Sequence, residues 1–148
     1  MAIATKNARK EDARDLSFVD VINPVPKRLT AEQIAFYNTN GYVLPFTAYD
    51  EETVKHQRAY FDALHRRVQK EQGRDDGYAI NGWHTTCRGI YDIVTNPVIL
   101  DHVEDLVGPD IVGWGTHYFS KQPHDPKKVA WHQDASYWPL TPARTVTV

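Results

Sequence analysis

The sequence predicts an α+β fold in which helices pack against a largely antiparallel sheet. Apolar residues recur at helical spacing in the first two thirds of the chain. From Ile111 onward, β-branched and aromatic residues dominate. Helices that precede strands, instead of alternating with them, are typical of α+β proteins and argue against a parallel α/β sheet.

The first predicted elements are a lead-in, a short helix and a strand. Residues 1–28 form the lead-in, which we expect to be flexible and which closes on the stiff segment NPVPKR. In the following LTAEQIAFYNTNGY, Thr30 is a helix N-cap, Gln33 completes a capping box, and Gly41 ends the helix. Residues 42–46 then form a strand.

Two further helices are predicted on either side of a polar loop. The first runs from about Glu51 to Gln72, and its core-facing residues are Val54, Phe61, Leu64 and Val68. Residues 73–89 are rich in glycine and polar side chains, which predicts a loop. The second helix begins with Pro97 and ends at Gly108, and its core-facing residues are Val98, Val103 and Leu106.

The last third of the chain is predicted to form strands over residues 111–120, 129–138 and 144–148. The sequence stops on TVTV, an apolar strand with no turn or polar tail after it, and proteins usually avoid such an ending. This ending predicts that the sequence is the N-terminal part of a longer protein.

Composition limits the class of protein and its partners. The chain has 148 residues, the length of one ordinary domain, and a net charge of −2 without a basic stripe, so we expect no nucleic-acid partner. No apolar run reaches the roughly 18 residues of a membrane span, so we expect no membrane partner either. The single Cys87 and the absence of a secretory signal predict a cytoplasmic protein. Composition leaves the oligomeric state open.

The stretch VAWHQDASYW contains a His-x-Asp pair with the spacing of metal ligands. In a strand, His132 and Asp134 project to the same side, whereas in a helix such residues diverge, as we expect for His102 and Glu104. One imidazole and one carboxylate suit iron(II), manganese or zinc, and a second histidine would indicate non-haem iron. From the residues alone, a hydrogen-bonded structural pair is the more common explanation of this spacing.

Several motifs together resemble the phytanoyl-CoA dioxygenase family of iron(II)/2-oxoglutarate-dependent oxygenases. They are GPDIVGWGTHYFSKQP, WHQDASYWPLTP and VTV, in that order, preceded by LTAEQIAFYNTNGYV and NPVILDHVEDLVGPDI. The resemblance implies a double-stranded β-helix, or jelly roll, with helices packed outside. Residues 29–148 would then be the N-terminal part of one such domain.

The resemblance also implies a chemistry. Iron(II) would be the cofactor, with 2-oxoglutarate and O2 as co-substrates, and a small organic molecule would be hydroxylated while 2-oxoglutarate is decarboxylated to succinate. His132 and Asp134 would be metal ligands. The positions implied near 2-oxoglutarate are His117, His84 and Lys121, and those implied for the substrate pocket are Asn81, Trp83 and Tyr137.

The sequence departs from the family pattern after the His-x-Asp pair. Residues 135–148 contain no histidine, and Arg144 lies too early to match the arginine that binds 2-oxoglutarate in the family. An upstream histidine such as His84 or His117 could complete the ligand set, without support from the family's topology. Two alternatives stay open: a non-catalytic scaffold remnant or interaction module, and a cupin-like zinc or manganese enzyme.

Overall fold

The structure is a computed structural model that describes residues 14–74, 79–121 and 123–148. In these ranges the chain forms the helices α1 (Ala31–Asn40), α2 (Glu51–Gln72), α3 (Arg88–Val94) and α4 (Pro97–Val107). Short 3₁₀ turns occur at Trp83–Thr85 and Asp134–Ser136. None of the described helices is long and apolar enough to cross a membrane.

The predicted ends of the three longer helices are confirmed. At the start of α1, the Thr30 hydroxyl accepts the Gln33 N–H at 3.2 Å, and the Gln33 side chain accepts the Thr30 N–H at 2.8 Å. Gly41 ends α1 with a φ of 78°, and Gly73 ends α2 with a φ of 65°. Both angles lie in the left-handed region that glycine adopts without a steric penalty, so these ends are fixed by local chemistry.

Helix α3 was not predicted. It begins inside the segment predicted as a loop over residues 73–89, of which residues 75–78 lie outside the described part of the chain. At seven residues, α3 is too short for an apolar period to show in the sequence. Gly89 allows it to lie close to α2, because a Cβ added at Gly89 would be only 2.5 Å from Tyr60 Cζ.

The buried apolar residues form two separate clusters. The first cluster consists of Leu64, Val68, Ile80 and Ile90. The second cluster consists of Leu29, Ile34 and Leu106. The prediction that Val54 faces the core was wrong, since Val54 is 51% exposed. The residues of α2 that belong to the first cluster or pack against it begin at Tyr60. The N-terminal end of α2, which carries Val54, therefore lies outside this apolar contact.

A buried carboxylate attaches the end of the lead-in to α4. Asp105 is 2% exposed. It accepts the backbone N–H groups of three consecutive residues at 2.7 to 2.8 Å: Lys27, Arg28 and Leu29. Burial by itself would raise the pKa of Asp105, but these backbone donors together lower it below its ordinary value.

The prediction of a flexible lead-in falls in part on residues 1–13, which lie outside the described residues. Residues 14–28 are described and contain neither helix nor strand. Asp105 holds the end of this segment, and Asn38 on α1 holds its middle: the Asn38 side chain accepts the Val21 N–H at 2.9 Å and donates to the Val21 carbonyl at 3.0 Å.

The predicted strands are not found in the described residues. Segments 42–46, 111–120, 129–138 and 144–148 have no strand ladder, and the β-type pairing there is one isolated antiparallel bridge between Asn81 and His117. A strand is defined by hydrogen bonds to a neighbouring backbone. β-Branched and aromatic composition indicates which residues favour extended backbone, but it does not supply that neighbour. The α part of the predicted α+β fold is therefore confirmed, and its sheet is not found.

Candidate metal centre

His132 and Asp134 lie side by side, as their spacing predicts. His132 Nε2 is 3.1 Å from Asp134 Oδ1. The residue between them, Gln133, has extended backbone with φ −108° and ψ 119°. One extended residue is sufficient to bring its two neighbours to the same side of the backbone. The predicted geometry is thus present although the predicted strand is not.

A 3₁₀ turn holds the loop immediately after the pair. The N–H of Ser136 donates to the Gln133 carbonyl at 3.1 Å, and the N–H of Tyr137 donates to the Asp134 carbonyl at 2.9 Å. The Arg14 guanidinium, from the lead-in, donates to the carbonyl oxygens of Ser136, at 3.0 Å, and of Trp138. The side chain of Arg14 therefore holds two carbonyls of this loop, one on the last residue of the 3₁₀ turn and one two residues later.

The hydrogen bonds of the His132 ring indicate which nitrogen can bind a metal. Nδ1 lies 2.7 Å from the Ala130 carbonyl, an acceptor, so Nδ1 carries a proton. In neutral imidazole the lone pair is then on Nε2, which faces the Asp134 carboxylate. In a metal-binding histidine, the ring nitrogen that does not bind the metal commonly donates its N–H to a backbone carbonyl, as Nδ1 does here.

Two acceptors that face each other need a cation between them. The Ala130 carbonyl contributes most to raising the pKa of His132, burial opposes the rise, and the Asp134 charge adds to it. A proton on Nε2 that is donated to Asp134 Oδ1 satisfies the contact between His132 and Asp134. A divalent ion can take the place of that proton, because it also offers positive charge to both atoms.

The separation of the two donor atoms fits one metal ion. In octahedral coordination, two neighbouring donors that are each about 2.1 Å from one ion lie about 3 Å apart. The observed distance is 3.1 Å. The His132 and Asp134 side chains are 38% and 39% exposed, so an ion and its further ligands can reach them. The pair therefore fits a borderline divalent cation as two of its ligands.

A third protein ligand is not found in the described residues, where no three His, Cys, Asp or Glu side chains are grouped closely enough to hold a metal ion. His84 and His117 do not complete the set with His132 and Asp134. His84 instead contacts Thr116, the residue before His117. His84 Nδ1 is 2.9 Å from the Thr116 hydroxyl, and the His117 backbone forms the bridge to Asn81.

The positions predicted near 2-oxoglutarate differ in their surroundings. Burial lowers the pKa of His117, which favours its neutral form. Lys121 is exposed and donates to the Lys127 carbonyl at 2.7 Å, so it closes the loop before the His-x-Asp segment. Neutral His117 can bind a carboxylate by hydrogen bonding only, whereas Lys121 can also contribute charge.

The three positions predicted for the substrate pocket do not share one set of contacts. Tyr137 is 72% exposed, and its ring meets the His132 ring edge-on at a centroid distance of 5.9 Å. Trp83 packs against the first cluster. Asn81 lies in the segment that pairs with residues 116–118. Among these positions, Tyr137 is the one beside the His-x-Asp pair.

Two residues at this centre were missed at the sequence level. The Thr147 hydroxyl donates to Asp134 Oδ2 at 3.1 Å. In TVTV, polar and apolar residues alternate, and this pattern already places Thr147 on the face opposite the valines. Arg14 offered no comparable signal, because it belongs to a segment of mixed charge far from the pair in sequence.

Comparisons with known proteins add a family match. The family model described as phytanoyl-CoA dioxygenase (PhyH) matches residues 37–148. The chain is 27% identical to peroxisomal phytanoyl-CoA dioxygenase of Rattus norvegicus, with 80% of this chain and 40% of the relative covered. The protein of the same name in Homo sapiens is 28% identical, with 78% of this chain and 40% of the relative covered. The chain thus spans about 40% of the length of these curated relatives. No solved structure gives a significant match.

Proposed function

The chain belongs to the phytanoyl-CoA dioxygenase family, and we propose that the protein is an iron(II)- and 2-oxoglutarate-dependent oxygenase that hydroxylates a small organic substrate. The observation that carries the proposal is the His132–Asp134 pair, whose Nε2 and Oδ1 atoms lie 3.1 Å apart. The relatives are dioxygenases by name, which supports the same class of reaction here.

The chain's own residues have defined parts in this proposal. His132 Nε2 and Asp134 Oδ1 would bind iron(II), while the Ala130 carbonyl holds the imidazole by its other nitrogen. Bound iron(II) supplies the activation of O2 that an organic side chain cannot provide. One oxygen atom of O2 enters the product as a hydroxyl group and the other enters succinate, and the C1 carboxylate of 2-oxoglutarate leaves as CO2.

The remaining parts of the proposal concern the co-substrate, the substrate and the domain. His117, His84 and Lys121 are proposed to contact 2-oxoglutarate, and Asn81, Trp83 and Tyr137 to line the substrate pocket. Tyr137 has the most direct support, because its ring already meets His132. Residues 29–148 are proposed to be the N-terminal part of a jelly-roll domain. A cytoplasmic location is likewise a proposal, and the named relatives are peroxisomal.

Metal binding by the pair can be tested on the 148-residue chain. We expect Mn(II), a paramagnetic substitute for iron(II), to broaden the NMR signals of His132 and Asp134 before those of other residues. His132→Ala and Asp134→Ala should remove this selective broadening, because each variant removes one donor atom. His56→Ala is the matched control, since His56 is an exposed histidine on α2. Equal broadening in wild type and His132→Ala would contradict the proposed metal centre.

The turnover of 2-oxoglutarate should be measured on the protein purified from its natural source. With iron(II), O2 and a trial substrate, Asp134→Ala should abolish the formation of succinate from 2-oxoglutarate while thermal unfolding stays near that of wild type. Unchanged succinate formation in that variant would exclude Asp134 as a ligand. A non-catalytic scaffold predicts no iron-dependent succinate in wild type either, so the same assay separates the two functions.

A further inference from the structure

The two oxygen atoms of the Asp134 carboxylate have different partners. Oδ1 faces His132 Nε2 at 3.1 Å. Oδ2 accepts a hydrogen bond from the Thr147 hydroxyl, also at 3.1 Å. A hydroxyl that occupies one carboxylate oxygen limits rotation of the group and leaves the other oxygen to the imidazole.

The residue before Thr147 attaches this segment to the helices. Val146 packs against the second cluster. Val148 lines a cavity together with Phe46 and His102, although it remains largely exposed. Packing of Val146 therefore attaches the backbone next to Thr147 to the second cluster, and the Thr147 hydroxyl reaches Asp134 from that attached segment.

We propose that Thr147 is a positioning residue of the metal centre: its hydroxyl holds Asp134 Oδ2 so that Oδ1 is presented, next to His132 Nε2, as a single-oxygen ligand. This inference rests on the proposed function. A carboxylate without such a partner can chelate a metal through both oxygens or rotate toward solvent. Hydrogen bonds to the ligands of a metal commonly change its affinity more than tenfold.

The first test measures Mn(II) affinity in variants that differ only in the hydroxyl group at position 147. Thr147→Val keeps the shape of the side chain and removes the hydroxyl, so it should weaken Mn(II) binding by about tenfold. Thr147→Ser restores the hydroxyl and should restore most of the affinity. Thr145→Val is the control, because Thr145 has no hydrogen bond to Asp134 in the described part of the chain. Equal affinity in Thr147→Val and wild type would overturn the proposal.

A metal-free measurement separates this inference from the proposed function. Three-bond NMR couplings report whether the Asp134 side chain keeps one rotamer. We expect one rotamer in wild type, Thr147→Ser and Thr145→Val, and averaging in Thr147→Val. Unchanged couplings in Thr147→Val would overturn the positioning role even if the chain bound no metal. Loss of Mn(II) broadening in His132→Ala, with unchanged binding in Thr147→Val, would support the metal centre and contradict the role of Thr147.

Discussion

Among single residues, Asp105 shows how a charge can be buried without a buried cation. Its carboxylate is 2% exposed, yet it stays ionised because backbone N–H groups fill its acceptor sites. The cations nearby are engaged with other groups: Lys27 lies 2.7 Å from Glu104, and Arg28 lies 3.0 Å from Asp101. Asp105 thus acts as an acceptor for the turn that enters α1.

Asp105→Asn should therefore destabilise the protein at neutral pH. The amide keeps one acceptor oxygen but brings an NH₂ group against backbone donors, and each buried donor left without an acceptor costs about 1–3 kcal/mol. We expect the free energy of unfolding, measured by urea denaturation, to fall by about 2 kcal/mol. Asp101→Asn is the control, since the Asp101 carboxylate is partly exposed and paired with Arg28. A similar loss in both variants would contradict the assigned role of Asp105.

The same residue makes stability depend on pH in a defined direction. The pKa of Asp105 is lowered in the folded chain, so its contribution is complete above the unfolded value of about 3.9 and is lost as pH falls further. We expect wild type to lose more stability than Asp105→Asn between pH 5 and pH 3. The other ionisable groups near Asp105, namely Lys27, Arg28, His102 and Glu104, are present in both proteins, so the difference isolates Asp105. Parallel stability curves would contradict this expectation.

Among the elements, the three longer helices could be predicted from sequence, whereas the short helix α3 and the absence of strand ladders in the described residues could not. The ends of α1 are determined by Thr30, Gln33 and Gly41, which interact within a few residues of one another. A strand depends on a partner that the local sequence does not contain. The site follows the same rule: the spacing of His132 and Asp134 is local and was predicted. The contacts from Arg14 and Thr147 come from distant segments and were not.

Arg14 links one such distant segment to the His-x-Asp loop. Because its guanidinium donates to the Ser136 and Trp138 carbonyls, Arg14→Ala should let residues 129–138 open more often. We expect amide hydrogen exchange in that segment to become about tenfold faster, the size of effect that follows from losing a charged donor. The measurement is hydrogen exchange followed by mass spectrometry of the peptide that contains the loop.

Arg28→Ala is the matched control for Arg14→Ala. It removes the same side chain from the lead-in, but the Arg28 guanidinium is paired with Asp101 on α4. Exchange in residues 129–138 should therefore match wild type. Faster exchange of that loop in both variants would mean that the lead-in acts through general stability and that Arg14 has no specific role there.

On the scale of the whole molecule, the described residues form two small apolar clusters that share no member. The first joins α2 to α3, and the second joins α1 and α4 to Val146 near the end of the sequence. The candidate metal centre is connected to the second cluster, through Val146 and its neighbour Thr147. Changes in the first cluster should thus affect stability without changing the geometry of the centre.

This division predicts how pairs of core substitutions combine. Ile90→Val in the first cluster and Ile34→Val in the second should each cost about 0.5–1.5 kcal/mol. Since no apolar residue of the described ranges packs against both clusters, their costs should add to within about 0.5 kcal/mol in the double variant. Ile80→Val combined with Ile90→Val is the control pair within one cluster, and it should depart from additivity by more than that, because both residues contribute to the same packing. Strong coupling between Ile34 and Ile90 in urea denaturation would show instead that the clusters behave as one core, and the metal centre would then respond to changes anywhere in it.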